Sequence, residues 1–189
     1  MNLNNSQIQT AFTKPKNIAK GSFLETVIES GFVVMTYQNE SSEIQLLEKE
    51  IDSSFIQFHF CLKGQCQFVF NNGTYQLNIS EENSLLLYNP QRDLPIHLQV
   101  DPNTWVVSVL ISIKKFHSLF SQDADHIHFL SPENSTKKYY DNGNINPSMA
   151  VVLSQILSSN IHESMKALYL KGKVYELLSL YFNKNEGNR

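Results

Sequence analysis

"FIQFHFCLKGQCQFVFNNGTYQLNI", residues 55–79, decides how this chain folds. Ile56, Phe58, Phe60 and Leu62 alternate with Gln57, His59 and Cys61. A period of two sends successive side chains to opposite faces of a strand, so one face is apolar and the other carries polar atoms. Gly64 permits a bend, and Asn71-Asn72-Gly73 separates two strand-like runs. Asn-Gly favours a tight hairpin because both central turn residues take positive φ. The open question is what a histidine, a glutamine and a cysteine do on the polar face.

Outward from this stretch the punctuation remains that of a β protein. Residues 31–40, 41–52, 83–90, 94–100 and 104–113 read as short strands bounded by Gly, Pro, Asn and Asp. Strands this short and this evenly spaced predict a closed barrel or jelly roll over 21–120, preceded by a loose polar leader over 1–20. After Ile113 the period changes: 114–120 suits about two helical turns, and 121–146 has the composition of a surface loop. Pro147 stands where a helix begins, with Met149, Val152, Leu153 and Ile156 on one face. A second helix is expected from Glu163 to Phe182, with Ala167, Leu170, Val174, Leu177, Leu178 and Tyr181 on its apolar side. The expected fold class is mainly β with appended α, ending in a helical hairpin over 147–183.

Composition narrows the function. With 189 residues and 41% hydrophobic content, the chain can bury a sizeable core. No apolar run approaches the roughly 18 residues of a membrane helix, and "MNLNNSQIQT" lacks the flank of a signal peptide, so a cytoplasmic location is expected. The net charge of −3 is a poor footprint for phosphate contacts. Cys61 and Cys66 lack a CxxC or paired-histidine context, and the ordinary reading is two small buried hydrophobes.

The order strand, glycine, hairpin, strand, proline turn, histidine resembles the cupins. In their metal-binding members two histidines and a glutamate precede the glycine, and a last histidine follows the proline turn. Here Gln57 falls where that resemblance puts the glutamate, and Ile51 and Ser53 fall near the two histidine positions. Only His97 matches, and one ligand does not hold a catalytic ion, which normally needs three. No metal and no cofactor are therefore expected. His126 and His128 read as loop decoration, and Arg92-Asp93 as a solvated turn pair or an anion contact at the barrel mouth. Gln57, His59 and Cys61 are expected to point into the barrel, either as hydrogen-bonded core or as polar contacts in an apolar cavity. Tyr88, His97 and Trp105 complete the expected ligand lining.

The last helix is apolar on more than one side. Leu168, Tyr175 and Phe182 extend the stripe beyond the core positions, and with Leu178 they are the residues expected at a two-fold dimer contact.

"LKG", "NG", "LLLYNP" and then "MKALYLKGKVYELLSLYF" together resemble the N-terminal half of AraC-type transcription regulators, in the PchR-like subgroup. The resemblance runs from about Phe55 to Phe182 and is most specific at 105–120 and 168–180. It implies a metal-free cupin-like barrel that binds a small-molecule effector, helices that form a homodimer, and no enzymatic activity. DNA would be reached only through a helix-turn-helix domain, expected to lie outside this chain. The rival is a metal-dependent cupin enzyme, a dioxygenase or isomerase. A third reading is a scaffold whose barrel is simply filled.

Overall fold

A computed structural model describes residues 21–119, 127, 131 and 133–183. The leader over 1–20, and His126 and His128, lie outside the described residues. Among the described residues, ten strands form two antiparallel sheets. The larger sheet contains β1 (Gly21–Glu29), β2 (Phe32–Asn39), β4 (Phe55–Lys63), β7 (Asn83–Tyr88), β9 (Thr104–Ser112) and β10 (Tyr139–Asn144), in the order β1-β2-β9-β4-β7-β10. The smaller contains β3 (Gln45–Lys49), β5 (Gln65–Phe70), β6 (Tyr75–Ser80) and β8 (Ile96–Val100), in the order β3-β8-β5-β6. The expected cupin-like jelly roll is therefore the observed architecture. Helix α1 (Ile113–Leu119) follows β9, and α2 (Pro147–Leu157) and α3 (Glu163–Asn183) form the expected hairpin.

The first strand of the opening stretch sits between the inner and the helix-side clusters. Strand β4 lies between β9 and β7 and is buried on both faces. Ile56, Phe58 and Phe60 enter a cluster shared with the helices, together with Val107, Val109, Met149, Leu153, Val174, Leu177 and Tyr181. Cys61 enters a second cluster between the sheets, with Leu85, Leu87, Phe68, Leu98 and Leu110. Phe58 packs edge-on to Tyr181 and Phe182, at centroid distances of 5.6 and 6.0 Å. Edge-to-face aromatic pairs add attraction beyond the area they bury.

Local chemistry explains the boundaries. Asn146 caps α2, its side-chain oxygen accepting from the Met149 amide at 2.8 Å, with Pro147 at the first helical position. Strand β10 is the main departure from expectation. "YYDNGN" reads as loop because Asp, Asn and Gly disfavour strands, yet it pairs with β7 along its whole length. An edge strand needs only one ladder, and that ladder overrides propensity. Among the described residues no helix is long and apolar enough to cross a membrane.

Gly64 and Gly73 both adopt positive φ, +77° and +91°, but their surroundings differ. A Cβ on Gly64 would stand 2.9 Å from the Asn103 carbonyl oxygen, whereas one on Gly73 would meet nothing within 4 Å. Both alanine variants carry the backbone strain of a left-handed residue, and only Gly64→Ala adds a clash with main chain. Gly64→Ala should cost roughly 1–3 kcal/mol more than Gly73→Ala in urea unfolding. Equal losses at the two positions would refute this account of the β4–β5 turn.

Candidate functional site

The polar face of β4 is sealed. Gln57 and His59 are 1% and 0% exposed, and Ser108 on neighbouring β9 is 3% exposed. The three side chains form one chain of hydrogen bonds whose polarity follows from its last member. The Gln57 amide nitrogen donates to the Leu94 carbonyl at 2.7 Å, a bond only the NH₂ end can make. The Gln57 oxygen, 3.0 Å from His59 Nε2, must then accept the imidazole N–H. His59 Nδ1, 2.6 Å from Ser108 Oγ, is left to accept the serine hydroxyl. The ring is thus a neutral Nε2–H tautomer, and burial pushes its pKa down to about 3.

Leu94 lies on the lip of an open groove at the barrel mouth. Strands β5 and β8 pair only at Cys66–Val100, Gln67–Gln99 and Phe68–Leu98. Beyond Phe68 they part, leaving Val69 and Phe70 on one side and Ile96 and His97 on the other. An open groove of about 1570 Å³ occupies this divergence, with Phe70, Tyr75, Leu94, His97 and Tyr140 in its lining. Tyr75 and Tyr140 are 47% and 37% exposed. The lip, residues 89–95, is braced from three sides. Asp93 accepts the Ser53 amide at 2.8 Å, Gln91 donates to the Thr136 carbonyl at 2.9 Å, and Gln57 holds Leu94 from within. Arg92, Lys137 and Lys138 stand on the rim beside Asp93 and Glu48, the last 3.6 Å from His97. Such a groove can hold a molecule with an aromatic or apolar body and polar ends.

The six residues expected to line one cavity are not brought together. Gln57, His59 and Cys61 do point between the sheets, but the space there is filled by the side chains of the inner cluster. Tyr88 lies on the other side of β7, in the helix-side cluster. Trp105 lies opposite inward-facing Val106, with Lys63 Nζ 5.0 Å from its ring centre. His97 alone lines the groove. Both corrections have the same cause. Strand parity assigns the face, and Tyr88 and Trp105 have the parity of the outer one. Phe70, Tyr75 and Tyr140 were missed because only the divergence of β5 from β8 brings them together.

The two thiols behave as core. Cys61 Sγ donates weakly to the carbonyls of Lys63 and Gly64, at 3.4 and 3.5 Å. The neighbouring Cys61 thiol and burial push the Cys66 pKa well up. A buried thiol whose pKa is raised in this way is a poor nucleophile and a poor ligand. Among the described residues no three histidine, cysteine or carboxylate side chains converge on one point.

The expected dimer face is also redistributed. Leu178 is 2% exposed and belongs to the helix-side core. Tyr175 stacks on Phe32 with ring centres 5.9 Å apart, and Phe182 packs on Phe58 and Phe116. These three rest on the chain's own barrel, because α3 lies against the large sheet as well as α2. Leu168 is 66% exposed, beside Met165 at 51%. Glu29, next to a register shift in β1, joins Lys115 of α1 to Lys171 of α3 and ties the barrel to the helices. The Lys115 ammonium, above all, holds the Glu29 carboxyl below its usual range.

The His59 pKa makes a testable statement about pH. A histidine at about 3 in the folded chain and about 6.5 unfolded favours folding fully above 6.5, and that contribution is lost as pH falls towards 3. Between pH 6 and 4 the parent should lose up to about 1.4 kcal/mol per pH unit more than His59→Gln in urea unfolding. Parallel pH profiles for the two proteins would refute a neutral buried His59.

Comparison with known proteins places this architecture. The family model described as the regulatory protein PchR N-terminal domain matches residues 20–189. No curated protein sequence matches the chain. Among solved structures, apo ToxT K231A from Vibrio cholerae is 18% identical, with a TM-score of 0.51 over 84% of this chain and 57% of that one. ToxT from the same strain bound to an unsaturated fatty acid is 18% identical, with a TM-score of 0.41 over 82% and 55% of the two chains. The Schizosaccharomyces pombe Cnp3 cupin domain is 9% identical, with a TM-score of 0.37 over 51% and 64%. The chain thus spans little more than half the length of the ToxT chains it matches. With the family model covering nearly all of its sequence, this chain belongs to the family of regulatory protein PchR N-terminal domains.

Proposed function

We propose that the chain is the effector-sensing and dimerisation module of an AraC-type transcription regulator, with a small molecule bound in the groove at the barrel mouth. The observation that carries this reading is the parting of β5 and β8, which opens an aromatic-lined groove beside a filled barrel. A regulator's N-terminal domain needs a ligand site and no reaction chemistry, and the neutral His59 and buried thiols supply none. The module acts in the cytoplasm and reaches DNA only through a separate domain. An effector shifts such a regulator by binding two states unequally. A second copy of the chain would cover the exposed end of α3 at Met165 and Leu168, which places two DNA-binding domains together.

Screening for thermal stabilisation tests the groove. A compound at one hundred times its dissociation constant should stabilise the domain by about 2.7 kcal/mol. Tyr75→Ala and His97→Ala should each weaken that compound, while Trp105→Ala should not. Effector affinity insensitive to both groove variants would place the site elsewhere.

Dimerisation is tested separately. Burying a leucine side chain contributes roughly 1.5–3 kcal/mol, so Leu168→Glu should raise the dimer dissociation constant at least tenfold. Sedimentation equilibrium should show a concentration-dependent dimer for the parent and a folded monomer for the variant. An unchanged dissociation constant in the Met165→Glu, Leu168→Glu double variant would exclude this end of α3 as the interface.

A further inference from the structure

We propose that Ser108, His59 and Gln57 are positioning residues for the groove, a buried hydrogen-bonded strut that holds the lip at Leu94 and conveys ligand contact there to β9. The proposal rests on the groove being the effector site. The strut is continuous, with steps of 2.6, 3.0 and 2.7 Å, and every side chain in it is at most 3% exposed. It begins on a core strand and ends on a main-chain carbonyl of a non-repetitive segment, so its free end is the movable one. The lip's other braces, at Asp93 and Gln91, are solvent-exposed and exchange with water at little cost. The inner brace, at Gln57, is buried, so its loss is not cheaply offset by solvent. Displacing Leu94 strands the Gln57 amide nitrogen unless that side chain follows it. A Gln57 side chain that follows carries its oxygen away from His59 Nε2 and disturbs the step to Ser108.

The strut also leads somewhere. Ser108 lies between Val107 and Val109, whose side chains enter the cluster shared with Val174 and Leu177 of α3 and with α2. A shift of Ser108 therefore changes the surface on which the helices rest. Such coupling is reciprocal: what the lip does to β9, β9 does to the lip.

Three measurements test this. Amide exchange of Asp93, Leu94 and Ile96 should quicken roughly tenfold in Ser108→Ala and in Gln57→Met, although neither alters a residue of the lip. Ser84→Ala is the control. Its hydroxyl is equally buried and makes no hydrogen bond, so its removal should leave lip exchange unchanged. With 8-anilinonaphthalene-1-sulfonate as the groove probe, both strut variants should bind at least about fivefold more weakly than the parent. In the parent, saturating probe should shift the His59 ring ¹⁵N resonances while the ring stays neutral. Unchanged lip exchange in a folded Ser108→Ala or Gln57→Met variant overturns the strut, as does a His59 ring that ignores probe bound at the groove. If the parent shows no probe binding that Tyr75→Ala can abolish, the groove reading fails, and lip exchange still decides the strut on its own.

Discussion

A polar side chain sealed from water must find its partners inside the protein, and β4 carries two of them into the middle of this fold. An unsatisfied buried polar group costs roughly 1–3 kcal/mol. The bond from Gln57 to the Leu94 carbonyl, and that from His59 to Ser108, therefore constrain three separate pieces of chain at once. They fix the register of β4 against β9, where His59 stands opposite Ser108. They also fix how the segment after β7 returns to the mouth of the barrel. The apolar face of the same strand does the complementary task. Phe58 and Phe60 provide the floor on which Tyr181 of α3 rests.

This double role explains why the barrel is filled while its mouth stays open. Two sheets about 10 Å apart are filled by ordinary side chains, and here Leu85, Leu87, Leu98 and Leu110 surround the polar chain. The groove opens where the small sheet is interrupted. The β5–β8 ladder ends at Phe68 and Leu98, and the hairpin tip around Asn71–Gly73 departs from the rest of the sheet. Its residues take φ of 49°, 55° and 91°, values suited to asparagine and glycine. A turn compatible with a flat hairpin thus becomes one wall of the groove.

The helices belong to the barrel first. Tyr175, Leu178 and Phe182 pack on it, and the Glu29 carboxylate anchors α3 through Lys171. The free surface that remains, at Met165 and Leu168, lies at the start of α3. There it adjoins a small cleft of about 210 Å³ between β1, β2 and the helical hairpin. Changes in the barrel and changes at this end of the helix therefore share a boundary.

The alternation over 55–62, the Asn-Gly turn, Pro147 and the stripe of α3 identified the jelly roll and its helical hairpin without a structure, because period and turn chemistry are local properties of the chain. The same parity put Gln57, His59 and Cys61 on one face, and the cupin resemblance aimed that face inward. Counting back from Gly64 put Gln57 on β4, whereas Ile51 and Ser53, counted the same way, precede that strand. What lay beyond the sequence was everything that depends on which strands meet. The outward aim of Tyr88 and Trp105 required knowing which face each strand gives to the helices. Strand β10, weak in propensity, exists because β7 offers it a partner. The groove exists because two strands distant in sequence pair at one end and part at the other. The half-burial of Tyr175 and Phe182 reflects a second surface, the large sheet, that the helix period reveals as needed but does not name. Sequence determined which residues are apolar and which turn; only the tertiary structure decided what each face turns towards, because that depends on contacts between segments far apart in the chain.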